Sequence, residues 1–302
     1  MTMRTTKWLV GALVWLGVGR GLSWAETPDR ALLAPGKATT ATNTLAEAVG
    51  DTALQAGLNS NVHFAALPKP DKYPAWLDCN FTPGDEHFSV YVPKGLTTGQ
   101  PCGALGWINP TDDNSIPQQF LPLLDEFRLL GVCAAKSGNG EWDRRRISLM
   151  VSAMLQLGHA YNIDPARRVL SGLSGGGRVS AMGGFVLPGF FSGVISWCGG
   201  LFYKNHPNSE KPGKLRGGIN RNPGDHLVTA AMANEAKRRV KFVLLTGPKD
   251  FNLVGSRDIK AALDEERYRA QLIEVPGLGH QVGEAGYMRQ ALVFVLGEPG
   301  NP

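Results

Sequence analysis

The sequence is short of charge. Only 19% of its 302 residues are Asp, Glu, Lys or Arg, below the roughly one quarter of an average soluble domain. The net charge of +5 falls to +2 once the first 25 residues are set aside, because that segment carries Arg4, Lys7 and Arg20 and no acid. So small a balance gives no electrostatic footprint for nucleic acid or an anionic membrane, and no nucleic-acid partner is expected. Apolar runs long enough to span a bilayer are missing too. Trp8 to Val18 is about 11 residues, against the roughly 20 that a span needs. That run follows Arg4 and Lys7 and precedes Ser23-Trp24-Ala25, which puts small residues at the two positions a signal peptidase inspects. A signal peptide over 1–25, cleaved before Glu26, is expected instead of a stable membrane anchor. The mature protein would then be secreted or periplasmic.

Cysteine is scarce as well. The four residues Cys79, Cys102, Cys133 and Cys198 include no CxxC and no Cys/His cluster at ligand spacing, so no metal site is expected. In an oxidising compartment they allow three pairings, among which the sequence does not choose. Cys79 and Cys102 lie near strand edges and are the first guess for a bridge. Cys133 and Cys198 sit in apolar strands and read as small buried hydrophobes.

What is present is 43% hydrophobic content and 38 glycines, enough for one substantial core with many tight turns. Residues 26–70 are rich in Ala, Thr, Gly and Leu and read as a leader or linker, with a short helix pattern over 44–58. From 71 to 302 strand and helix patterns alternate. Phe88–Pro93 alternates like a half-buried strand. Gly103–Asn109 and Leu130–Lys136 are apolar strand runs joined by a helix pattern around 118–129. Arg144–Tyr161 has the apolar spacing of one helix face and ends at Asn162-Ile-Asp-Pro165. Strands follow at Arg167–Ser171, Phe191–Trp197, Val240–Thr246 and Ala270–Val275. Apolar strands separated by helices predict an α/β fold, with a mostly parallel sheet covered by helices on both faces. The long connection 201–239 reads as a lid insertion or a surface loop.

The sharpest motif is Ser171-Gly-Leu-Ser-Gly-Gly-Gly177, directly after a strand and before a helix pattern. A serine on such a turn needs a strained backbone, and its neighbours two positions away need to lack side chains so that strand and helix can approach. The turn exposes Ser174 Oγ and puts the Gly175 N–H at a helix N-terminus, where it can receive an oxyanion. Two plainer readings compete: a serine that only caps the helix, and a dinucleotide-phosphate cradle. The second lacks Gly-x-Gly-x-x-Gly spacing and an acid at the end of the next strand, Ser196-Trp-Cys-Gly-Gly200.

A neutral serine needs a base oriented by a carboxylate. Strand-end loops offer Asp250, in Thr246-Gly-Pro-Lys-Asp-Phe-Asn252, and His280, in Pro276-Gly-Leu-Gly-His280. Asp258 falls inside a helix and Glu274 inside a strand, so Asp250 is the expected acid. His159 reads as a packing or surface residue within a helix pattern, His206 and His226 fall in a polar loop, and His63 and His87 precede or open the first strand. The second oxyanion donor is expected from the loop after Asn109. Pro110 has no N–H, which leaves the backbone of Thr111 or Asp112. The Asp112-Asp113 pair reads as a solvated turn. Trp142 or Asn139 is expected near the substrate cleft, and Tyr203 and His226 in the long connection.

With these residues in place, the chain resembles secreted bacterial esterases of the polyhydroxybutyrate-depolymerase-like group in the α/β-hydrolase superfamily. The similar segments are Tyr161–Gly177, Leu245–Asn252 and Pro276–His280, within 85–297. The resemblance implies Ser174 as nucleophile, Asp250 as acid, His280 as base, an ester substrate (small molecule, glycan ester or polyester) and no cofactor. The chain departs from that group at Gly175, where alanine is common, and at Asn109-Pro110 after the oxyanion strand. A serine peptidase on the same fold, a non-catalytic binding protein of that fold and a dinucleotide-dependent reductase are the rival functions.

Overall fold

A computed structural model of the chain describes residues 54–70, 77, 79–199 and 228–300. The expected signal peptide, residues 26–53 of the leader and residues 201–227 of the long connection lie outside the described residues, and so do Tyr203 and His226.

Eight strands form one sheet: β1 (Gly57–Val62), β2 (Phe88–Val92), β3 (Cys102–Ile108), β4 (Leu129–Ala134), β5 (Ile163–Leu173), β6 (Gly193–Trp197), β7 (Lys241–Thr246) and β8 (Arg269–Glu274). Their spatial order is β1-β2-β4-β3-β5-β6-β7-β8. Strands β3 to β8 are parallel, while β2 runs antiparallel to both β1 and β4. The helices are α1 (Leu121–Glu126), α2 (Asp143–Ala160), α3 (Gly175–Val186), α4 (Ala230–Arg239), α5 (Leu253–Glu265) and α6 (Ala285–Leu296). The mostly parallel α/β sheet expected from the alternating pattern is therefore what the chain forms.

Both faces of the sheet are covered, which is why β2, β3, β4 and β6 are buried at every position. Ala104 and Ile108 of β3 pack with Met150 and Met154 of α2, whereas Leu105 and Trp107 of the same strand pack with Phe120 and Leu292 of α6 on the other face. In β7, Phe242 and Leu244 face Phe185 of α3 and Ile259 of α5, and Val243 and Leu245 face Met288. Phe88–Val92, expected to be half-buried, is buried at all five positions for the same reason.

Two boundaries differ from expectation. Residues 57–62, placed in the leader and partly in a helix pattern, form β1 and pair with Val92, Tyr91 and Val90 of β2. Val62 and Phe64 are each 2% exposed, so the domain begins before residue 71. Helix α2 stops at Ala160, and Pro165 lies within β5 at a break in register: Cys102 faces Ile163, but Ala104 already faces Arg168. The irregularity absorbs the N–H that proline lacks. The expected Cys79–Cys102 bridge is not formed; Cys102 is buried at the start of β3, where its thiol donates to the Asn162 carbonyl at 3.6 Å.

The chain leaves β3 toward β4 on one side and β5 toward β6 on the other. The carboxyl ends of β3 and β5 thus flank a point where strand order reverses, the place where open α/β sheets gather ligand-binding loops. Among the described residues no helix is long and apolar enough to cross a membrane.

Candidate active site

Ser174 sits between β5 and α3 with φ 56° and ψ −120°, a conformation costly for a residue with a side chain. Its N–H donates to the Trp197 carbonyl at 2.8 Å, which fixes the turn to β6. A methyl on Gly172 or Gly176 would collide with the Ile108 carbonyl, so those glycines let the turn close against β3. The Ser174 side chain makes no capping bond to α3, which removes the plain helix-cap reading. Its Oγ instead lies 2.8 Å from Nε2 of His280, and Nδ1 of His280 lies 2.8 Å from Oδ1 of Asp250. With Nδ1 protonated, the serine hydroxyl donates to Nε2 and the imidazole donates to the carboxylate. Three residues far apart in sequence therefore meet at the carboxyl edge of the sheet, after β5, β7 and β8.

The carboxylate is built into its place. Asp250 Oδ2 accepts from Thr246 Oγ1 at 2.6 Å, and Oδ1 accepts from the Asn252 N–H at 3.0 Å. Burial alone would raise its pKa. The hydrogen bonds from Thr246, His280, Asn252 and the Cys198 thiol outweigh burial and hold the carboxyl below the usual range. Cys198 follows β6 at φ 46°, and its Sγ lies 3.5 Å from the carbonyls of Gly279 and Gln281. Burial, then the charge and hydrogen bond of Asp250, push the thiol up to about 12. Cys198 is buried, as a small hydrophobe would be, and its thiol is in addition a hydrogen-bonding partner of Asp250. Among the described residues, Cys198, Asp250 and His280 are the group able to hold a metal ion, with ligand atoms within 4.8 Å of one another. Two of the three are the acid and base just described. Phe251 stacks on the His280 ring at 4.0 Å and 25°, although it is 76% exposed.

Opposite the histidine, two loops interlock. After β3, the Asn109 carboxamide accepts from Trp107 Nε1 at 2.7 Å and donates to Asp113 Oδ1 and to the Ser115 carbonyl at 3.0 and 2.8 Å. Asn109 therefore shapes the unusual Asn-Pro turn from within. After β4, Lys136 N–H donates to the Asp112 carbonyl, Gly138 N–H to the Asp112 carboxylate and Asn139 N–H to the Pro110 carbonyl, at 2.7, 3.0 and 2.8 Å. Asp112 and Asp113 are thus not merely solvated: each carboxylate holds a turn, Asp113 also accepting from the hydroxyls of Thr111 and Ser115. The N–H groups of Thr111 and Asp112 are not used in these cross-ties. Gly175 is the first residue of α3, with its N–H at the positive end of the helix.

Arg146 lies beneath this arrangement and is invisible to motif reading. It is fully buried, and it donates to the carbonyls of Ser137, Asn109 and Gly175 at 2.7, 2.8 and 3.5 Å. Only its place in the first turn of α2, on an otherwise apolar face, signals that it points inward.

The remaining candidates fall elsewhere. Trp142 is the residue before α2, 37% exposed beneath the Arg144 guanidinium at 5.5 Å, and no described contact joins it to Ser174 or His280. Asp258 is within α5, and Glu274 pairs with Arg257 on the surface at 2.6 Å. His63 and His87 meet edge to face at 4.2 Å beside β1 and β2.

A scan against protein-family models finds none that matches the chain, and a search of curated proteins finds no sequence relative. Solved structures do resemble it. Esterase 2 of Thermogutta terrifontis, phosphonylated by sarin, superposes with a TM-score of 0.52 at 15% identity, over 72% of this chain and 92% of that one. The fluorophosphonate-binding serine hydrolase F of Staphylococcus aureus, substrate bound, gives 0.52 at 13% identity, over 70% and 92%. The same Thermogutta esterase with butyrate bound gives 0.50 at 15%, over 72% and 92%. At these identities the likeness establishes the α/β-hydrolase fold.

Proposed function

We propose that this chain is an exported serine esterase that hydrolyses carboxylic esters through Ser174, His280 and Asp250. The observation that carries the reading is the unbroken relay from Ser174 Oγ through the His280 ring to Asp250, with both contacts at 2.8 Å. Ser174 attacks the ester carbonyl as Nε2 takes its proton, and Asp250 stabilises the imidazolium. The Gly175 N–H and one from Thr111 or Asp112 receive the oxyanion. His280 then returns the proton to the departing alcohol. Water, activated by the same histidine, releases the acid from the acyl-enzyme. None of these steps calls for a metal or cofactor.

Two of the structural relatives support this chemistry: one esterase carries a phosphonyl group from sarin, and one hydrolase is named for fluorophosphonate binding. The finer reading, a depolymerase-like enzyme acting on an apolar ester or polyester, is supported by the motif segments. Phe251, stacked on the histidine and 76% exposed, adds to it. Export rests on the first 25 residues.

Hydrolysis of p-nitrophenyl acetate and labelling by a fluorophosphonate probe test the function directly. Both are expected in the wild type, and both should vanish in Ser174→Ala. Undiminished hydrolysis in that variant would defeat the assignment, and a wild type that takes no probe would favour a non-catalytic binding protein. A peptide-substrate panel separates a peptidase, and a panel of short esters, glycan esters and polyhydroxyalkanoate separates the ester classes.

A further inference from the structure

A buried guanidinium usually faces a carboxylate, because an unpaired charge in the interior is costly. Arg146 faces three peptide carbonyls instead. The acids close enough to act on it, Asp143, Asp112 and Glu141, are otherwise engaged: Asp143 is held by Arg178 through two bonds of 2.6 and 2.9 Å, the Asp112 carboxylate accepts from Gly138 N–H, and Glu141 pairs with Arg145 at 3.5 Å. The three carbonyls belong to Asn109 at the end of β3, Ser137 in the turn after β4, and Gly175 at the start of α3. The first and last of these segments lead into the oxyanion donors assigned above, and the turn after β4 is cross-tied to the first through Pro110 and Asp112.

We infer that Arg146 is a positioning residue for ester hydrolysis, tying Asn109, Ser137 and Gly175 into one rigid cradle and placing a positive charge behind the oxyanion. The inference rests on Ser174 being the nucleophile. Its physical content is twofold. The planar fork joins three backbone segments at once, which a lysine, as a point donor, does not do. The charge favours a negatively charged tetrahedral oxygen over a neutral carbonyl, so its effect falls on the chemical step and not on ground-state binding.

The test compares Arg146→Lys and Arg146→Gln with wild type in three measurements: thermal unfolding, kcat and KM for a p-nitrophenyl ester, and inhibition by an alkyl boronic acid that forms a tetrahedral adduct on Ser174. Arg146→Lys is expected to lower kcat roughly 10- to 100-fold with KM within about threefold. The inhibition constant for the boronic acid should rise by about the same factor as kcat falls. Arg146→Gln, which also removes the charge, should lose more on both measures. A folded Arg146→Lys with wild-type kcat overturns the inference. So does a loss seen in KM while boronate affinity holds, and so does failure of both variants to fold, which would make Arg146 a folding residue. A wild type that neither hydrolyses the ester nor binds the boronate would instead sink the esterase reading.

Discussion

The carboxamide of Asn139 occupies the space that a side chain on residue 175 would enter. A methyl built on Gly175 would collide with Asn139 Oδ1 and stand 2.7 Å from its Cγ and 3.1 Å from its Nδ2. The contact explains why glycine stands at 175 where similar enzymes often carry alanine: the turn after β4 delivers to that point a side chain that leaves no room. Among the described residues Oδ1 of Asn139 has no hydrogen-bond partner although it is buried, a cost of about 1–3 kcal/mol where it stays unpaired.

Gly175→Ala is therefore expected to displace the Asn139 loop, lowering kcat at least about tenfold and stability by about 1–3 kcal/mol. Pairing it with Asn139→Ala should restore stability, since the collision partner is gone. Denaturant unfolding of both single variants and the double variant checks this; a Gly175→Ala protein as stable as wild type would refute the contact.

Asp250→Asn should cost about 10³- to 10⁴-fold in kcat while leaving the fold intact, because an amide no longer selects the tautomer that bares Nε2. Its pH signature has a definite sign. The native carboxyl titrates below its ordinary value of 3.8, so it contributes stability that is present above that value and is lost as pH falls through the lower native one. The variant should show a shallower fall of Tm below about pH 4 than wild type. Parallel acid profiles would contradict the assignment.

Cys198 should resist alkylation in the native enzyme. Its thiol, pushed up to about 12 by burial and then by Asp250, holds almost no thiolate at pH 8. Iodoacetamide is expected to leave both Cys198 and the activity intact, while all four cysteines react after denaturation. Mass spectrometry of the alkylated peptides reads this out, and rapid native labelling at Cys198 would count against it. The same shift makes this thiol's contribution to stability full below pH 9 and lost as pH rises from there toward about 12.

Phe64→Ala is expected to destabilise the domain by about 3–5 kcal/mol, because the ring lies 2% exposed against Phe88 at 4.9 Å. Urea unfolding measures it. A loss below about 1 kcal/mol would return this segment to the status of a linker.

The sequence announces the elements that strong local rules govern. The turn around Ser174 is legible because its glycines and its place after an apolar strand follow from sterics. Asp250 and His280 are legible because each follows a strand. Residues whose roles depend on another loop are not. Asn139 is legible as a residue near the cleft but not as the neighbour of Gly175, and Arg146 and Cys198 belong to unremarkable local patterns; only the folded sheet brings the turn after β4 against α3 or the end of β6 against β7. The leader misled for a similar reason. Gly57–Val62 has the burial pattern of an edge strand, mostly open on one side, so its partner β2 defines it and its own hydrophobicity does not.

One consequence follows from the aromatic ring parked over the base. With Phe251 flat against one side of the imidazole, rotation of His280 about its Cβ–Cγ bond would have to break that stack as well as the bond to Asp250. The two nitrogens are thereby kept from exchanging partners, Nδ1 staying with Asp250 and Nε2 with Ser174. On the esterase reading, the departing alcohol and the incoming water would both deal with the same nitrogen, Nε2, one after the other.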